Sequence, residues 1–159
     1  KKNLINYNTD KNIIKHFYGF TFCLGGIFSI KGEDFEKING FPSFWTWGFE
    51  DNVIYSRALM KNLIINRDNF YTIGNMNILH FVDGLSRTVS KGRPTIKNIQ
   101  EVRDGLDTLQ NIKYEMNDNM LDVTDFVCSL RIHKNIEQIS ILKENQPKRI
   151  SHPLGKMFF

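Results

Sequence analysis

The segment from Gly25 to Arg57, GGIFSIKGEDFEKINGFPSFWTWGFEDNVIYSR, limits what this chain can fold into more than any other stretch. The run Phe17 to Ile30 is apolar and aromatic, broken by Gly19 and by Gly25-Gly26. It reads as a buried strand with a tight glycine turn. Lys31 to Asn39 carries Phe35 and Ile38 three residues apart and acidic Glu33 and Asp34 in its first turn. That is a short helix, stopped by Gly40 and Pro42. Gly40 to Gly48 is an aromatic loop. Glu50 to Lys61 then places Val53, Ile54, Ala58 and Leu59 at helical spacing, acidic at its start and basic at its end.

Outside that segment the pattern is weaker. Residues 1 to 16 are polar and Asn-rich and read as an N-terminal arm. Leu63 to Ile65 and Phe70 to Leu79 read as strands. Asp83 to Pro94, with two glycines and a proline, reads as a long loop. Thr95 to Leu109 is expected to be a helix behind Pro94. Ile112 to Met116 and Asp122 to Leu130 are expected strands, and Arg131 to Phe159 a looser basic tail. No internal repeat is visible.

The chain has 159 residues, enough for one domain with a real core and too few for two ordinary ones. Its net charge of +4 is scattered, with much of the local excess between Lys143 and Lys156. No Lys/Arg run is long enough to argue for nucleic-acid binding. No run of about 18 apolar residues is present, so no transmembrane helix is expected. The start, Lys1-Lys2-Asn3, has neither an initiator Met nor a signal-peptide pattern. It reads as an excised piece or a processed product. Cys23 and Cys128 match no metal spacing; one disulfide and two buried thiols both remain open.

The chemistry sits where the aromatic loop meets the second helix. Glu50 and Asp51 are adjacent at a helix start, so their side chains diverge by roughly 100°. One can take a proton while the other orients a partner. A tryptophan face beside a carboxylate suits a sugar, whose CH groups stack on the ring while its hydroxyls bond the acid. On the residues alone a second reading stands beside this one: the two acids cap the helix and the tryptophans fill the core.

The whole string resembles the signature of the β-1,4-galactosyltransferase family, in the C-terminal galactosyltransferase domain. The matching positions are Gly25, Gly26, Phe35, Asn39, Gly40, Phe41, Pro42, Trp45, Trp47, Gly48, Glu50, Asp51 and Arg57. The resemblance continues more weakly through His80 with Asp83 and Asp104-Gly105-Leu106, and covers roughly residues 17 to 130. It implies an α/β fold: the C-terminal part of a GT-A type nucleotide-sugar transferase, a mixed sheet with flanking helices. On this reading residues 1–130 form the galactosyltransferase-like domain and 131–159 a basic tail.

The resemblance also implies the chemistry, an inverting transfer of a hexose or N-acetylhexosamine from a UDP-sugar to a hydroxyl of a glycan or protein. Asp51 would be the general base, and Glu50 would orient the acceptor. Trp47, with Trp45 and Gly48, would line the substrate site. Gly25 and Gly26 would let the backbone approach the donor sugar. A Mn²⁺ or other divalent cation would neutralise the diphosphate. His80 is its implied ligand, with Asn77 at the family's Met position and Met76 one residue away. The mobile loop that relatives close over the acceptor would fall at Gly84 to Arg93, where Arg87 and Arg93 are candidate phosphate contacts.

No Asp-x-Asp precedes Gly25, so the nucleotide-binding half that the family implies is expected in another part of the protein, in another chain, or lost. A sheet cut there would expose an edge, and pairing with that half or with a second copy is expected. Relatives work in the Golgi lumen, whereas a microbial or viral origin would allow a cytosolic enzyme. The alternative function is a non-catalytic sugar-binding or assembly subunit that lacks the donor half.

Overall fold

The computed structural model describes residues 5–43, 47–79, 86–90, 97–118, 120–129 and 136–140, with 86–90 and 136–140 described as backbone. A mixed four-stranded sheet organises the first half. Strand β1 (Ile13–Gly19) is central. It pairs antiparallel with β2 (Ile27–Ser29) and parallel with both β3 (Ile64–Asn66) and β4 (Tyr71–Thr72). Helices α1 (Gly32–Lys37) and α2 (Glu50–Met60) lie between β2 and β3 in the chain. This is a mixed sheet with few helices, as expected.

The parts of the prediction rich in local signal agree with the structure. Helix α2 covers all but the last residue of the expected Glu50 to Lys61. It ends because Asn62 takes a left-handed φ of 57° and Leu63 N–H bonds back to the Ala58 carbonyl at 2.9 Å. Helix α1 ends the same way. Asn39 and Gly40 both have positive φ, 59° and 56°, and Gly40 N–H closes on the Phe35 carbonyl at 2.9 Å.

Other expectations fail for identifiable reasons. The arm is a strand from Ile13 onward, because parallel pairing with β3 recruits it. The expected strand with a glycine turn over Phe17 to Ile30 is two short strands, with Gly25-Gly26 in the connection between them. The expected Phe70 to Leu79 strand shrinks to Tyr71–Thr72, followed by turns.

The expected helix from Thr95 to Leu109 is, over its described residues, two single 3₁₀ turns, Ile99–Glu101 and Leu106–Thr108. Arg57 captures the carbonyls of Val102 and Asp104, which cannot then serve an α-helix. Within the expected loop and tail, strands β5 (Ser86–Ser90) and β8 (Ile136–Ser140) pair antiparallel. The expected strands at 112–116 and 122–130 are a hairpin, β6 (Leu109–Asn117) and β7 (Met120–Cys128).

The core joins sheet to helices through Ile14, Leu24, Ile38, Ile54, Ala58 and Leu63, flanked by Phe28, Phe35, Tyr55 and Ile65. At about 25 cal/mol per Å² of apolar surface, burial of such side chains supplies most of the folding drive. Phe41 packs between Phe28 and Phe35, with ring centroids 6.1 and 6.0 Å away, and anchors the aromatic loop on the core. The β6–β7 hairpin is less embedded. Between it and the core runs an apolar trough of about 900 Å³, walled by Phe35, Phe41, Leu106, Tyr114 and Val123 among others. Cys23 and Cys128 are both free thiols.

Candidate functional site

Four of the expected site residues meet in one place. Trp47, Gly48, Glu50 and Asp51 line a cleft of about 350 Å³, together with Phe20, Phe22, Phe49 and Asn52. The turn that delivers them is unusual. Phe49, immediately before α2, sits in the left-handed region at φ 67°. A non-glycine residue there is uncommon and costs about 1 kcal/mol or more. It swings the chain so that both acids leave the helix start beside the aromatic loop.

Each acid commits one oxygen locally. Glu50 Oε2 accepts from Gly48 N–H at 2.9 Å, and Asp51 Oδ1 accepts from Asn52 N–H at 2.9 Å. The capping reading is therefore realised in part, but it does not exhaust either carboxylate. The second oxygen of Asp51 lies against Gly25: a Cβ built on that glycine would stand 2.7 Å from Oδ2. The strand side is locked as well, since Leu24 N–H donates to the Asp51 carbonyl at 3.0 Å.

The two glycines thus have distinct reasons to be glycine. Gly25 makes room for the Asp51 carboxylate. Gly26, at φ 81°, would place a Cβ 2.3 Å from the Tyr18 carbonyl. Beneath them is Cys23, fully buried. Burial, followed by the hydrogen bond and charge of Asp51, pushes its thiol up to about 12. It stays protonated and donates to the carboxylate.

Sequence reasoning missed Phe20, Phe22, Phe49, Asn52 and Cys23. Phe20 and Phe22 stack with centroids 5.1 Å apart and interplanar angle 22°, and Asn52 reaches the Phe22 carbonyl at 3.4 Å. The alternation Phe20-Thr-Phe22 just before the glycines was the available signal.

The expected metal ligands do not assemble among the described residues. Met76 is 99% exposed. Asn77 is also exposed, its N–H turned back on Asn75 Oδ1 at 2.9 Å. A thioether and an amide on open surface are a poor set for a hard divalent cation, and these two residues do not fit such a site by themselves. No group of three His, Cys, Asp or Glu side chains stands together among the described residues. His80, Asp83, Trp45 and Arg93 lie outside them. Arg87 lies on β5, in a paired strand rather than a free loop.

Sheet, glycine turn and aromatic cleft make an α/β segment, part of which is similar to galactosyltransferases. A family model described as the N-terminal domain of galactosyltransferase matches residues 12–81. The chain is 33% identical over 99 residues to beta-1,4-galactosyltransferase 5 of Mus musculus and of Homo sapiens; the match covers 62% of this chain and 25% of each relative. It is 26% identical over 109 residues to xylosylprotein 4-beta-galactosyltransferase of Caenorhabditis elegans, covering 65% of this chain and 38% of that protein. The chain thus spans about a quarter of the length of the first of these relatives. The matching model carries an N-terminal description, where the C-terminal domain was expected. No helix among the described residues is long and apolar enough to cross a membrane.

Proposed function

We propose that this chain is the acceptor-side, catalytic portion of an inverting glycosyltransferase, the C-terminal part of a GT-A type fold. It would move a hexose or N-acetylhexosamine from a UDP-sugar to a hydroxyl of a glycan or protein. One observation carries the reading: Asp51, Glu50 and Trp47 line a single aromatic cleft, in a segment similar to β-1,4-galactosyltransferases.

In this reaction the acceptor hydroxyl gives its proton to the Asp51 carboxylate. Its oxygen then bonds the anomeric carbon on the face opposite the diphosphate, and the bond to the diphosphate breaks. Glu50 keeps one oxygen on Gly48 and offers the other to an acceptor hydroxyl. Trp47 and the Phe20–Phe22 pair give the sugar ring an apolar wall. A divalent cation such as Mn²⁺ would supply charge neutralisation for the leaving diphosphate; His80 is the ligand this chain would offer.

The test is a screen of UDP-sugars against glycan and protein acceptors, with and without Mn²⁺. Transfer that depends on the cation supports the proposal. Glycan binding without transfer, and without UDP affinity in calorimetry, replaces it with the sugar-binding subunit.

A further inference from the structure

Behind the cleft lies a buried imidazole to which the proposed reaction gives no task. His16, on β1, is 1% exposed. Its Nε2 is 3.0 Å from the Gly25 carbonyl, and its Nδ1 is 3.1 Å from Arg67 Nε. An arginine only donates, so Nδ1 must carry the lone pair and Nε2 the proton. The ring is thereby a neutral donor to Gly25. Arg67 is fixed in turn: its Nη2 donates to the Thr21 carbonyl at 2.8 Å, and its guanidinium lies 5.6 Å from the Phe70 ring and 5.7 Å from that of Tyr55. The Phe70 ring also covers the imidazole, centroid to centroid 4.8 Å.

We propose that His16 is a positioning residue. It pins the Gly25 carbonyl and so sets the wall on which the Asp51 carboxylate rests. The relay runs Arg67 to His16 to Gly25 to Asp51, each link a hydrogen bond or a close approach in the fold just described. It needs glycine at position 19 as well, where a Cβ would stand 2.4 Å from the Gly25 oxygen and 3.0 Å from His16 Nε2. Three independent features of the chain thus serve the placing of one carbonyl. Protonation would break the relay, because a second ring proton would face Arg67. Burial first, and then the Arg67 charge, hold His16 below its ordinary value against the opposing pull of the Gly25 carbonyl. Arg67 is the charge acting on the ring; the Gly25 and Tyr18 backbones and Phe70 are its other neighbours.

The kinetic part of this inference rests on the glycosyltransferase reading; the spectroscopic part does not. In proton–nitrogen NMR spectra of the full chain, His16 should keep the neutral Nε2–H form at pH below the ordinary histidine value. His16→Phe, which keeps ring size and loses both bonds, should shift the side-chain carboxyl carbon of Asp51. His16→Gln should leave that resonance in place, since its amide can accept from Arg67 and donate to Gly25. If transfer is detected, His16→Phe should lower kcat by about tenfold to a hundredfold at unchanged acceptor KM, with recovery in His16→Gln. An Nδ1–H tautomer, an unmoved Asp51 resonance in a folded His16→Phe, or a shift as large in His16→Gln overturns the proposal. Should His16→Phe fail to fold, the wild-type tautomer and the Gln variant still decide it. Absence of any transfer sinks the functional reading and leaves the spectra to judge His16.

Discussion

Arg57 and Asn39 are joined by a hydrogen bond from the guanidinium Nη1 to the Asn39 carbonyl, 3.0 Å long. The same nitrogen reaches the Gly40 carbonyl at 2.8 Å, and Nη2 reaches those of Val102 and Asp104. Asn39 answers with its own side chain, donating to the Arg103 carbonyl and to Asp107 Oδ1, both at 3.0 Å. The Asn-Gly pair and the Asp-Gly-Leu segment are thus two sides of one clamp. Arg57→Met strands several carbonyls and should destabilise the chain by about 3 kcal/mol. That lowers Tm by roughly 6–12 °C, to be read by calorimetry. A Tm within a degree of wild type would refute the clamp.

Asp51→Asn preserves shape and removes the base. Transfer should fall about 100- to 10,000-fold while circular dichroism and Tm hold. Glu50→Gln should act mainly on acceptor KM, because the amide still bonds a hydroxyl. Equal kcat losses in both variants would show that the two roles are not divided as proposed.

Two glycine substitutions should part company. In Gly25→Ala the new methyl would meet the Asp51 carboxylate at 2.7 Å, so that side chain must swing away. Activity should drop with modest loss of stability. In Gly19→Ala the methyl would meet backbone, the Gly25 carbonyl at 2.4 Å, at φ +141°. Nothing flexible gives way there, and folding itself should suffer. Melting curves beside transfer rates separate the two.

The two thiols should label in order. Cys128, half-buried, should react with a disulfide reagent in the native state, and Cys23 only on unfolding. Cys23 is raised to about 12 in the fold, so the stability it lends is complete below the ordinary thiol value. That stability is lost as pH climbs through the interval up to about 12. His16 acts at the other end. Its depressed value means the unfolded chain binds the extra proton first, so stability falls as pH drops below the ordinary histidine range. Denaturant midpoints across pH check both signs.

How much was legible depended on where the determining contacts lie. Helix α2 and the two strands β6 and β7 were readable, though not their pairing, because periodicity acts within a few positions. The helix expected at 95–109 was not, since its fate rests on Arg57, some forty-five residues away. Strands β5 and β8 escaped because each finds its partner across fifty residues. At the site, Trp47, Glu50 and Asp51 stood out as chemistry on one helix start. Cys23 and His16 did not, because a buried thiol or imidazole acquires meaning only from what folding presses against it.

The trough between hairpin and core has a practical sequel. About 900 Å³ of oily recess suits a fluorescent apolar probe such as ANS even when every residue is in its native place. Brightening of such a dye is ordinarily taken as the mark of a loosened, half-folded state. For this chain a bright signal should persist in the intact protein and fade on addition of denaturant, the reverse of the usual alarm.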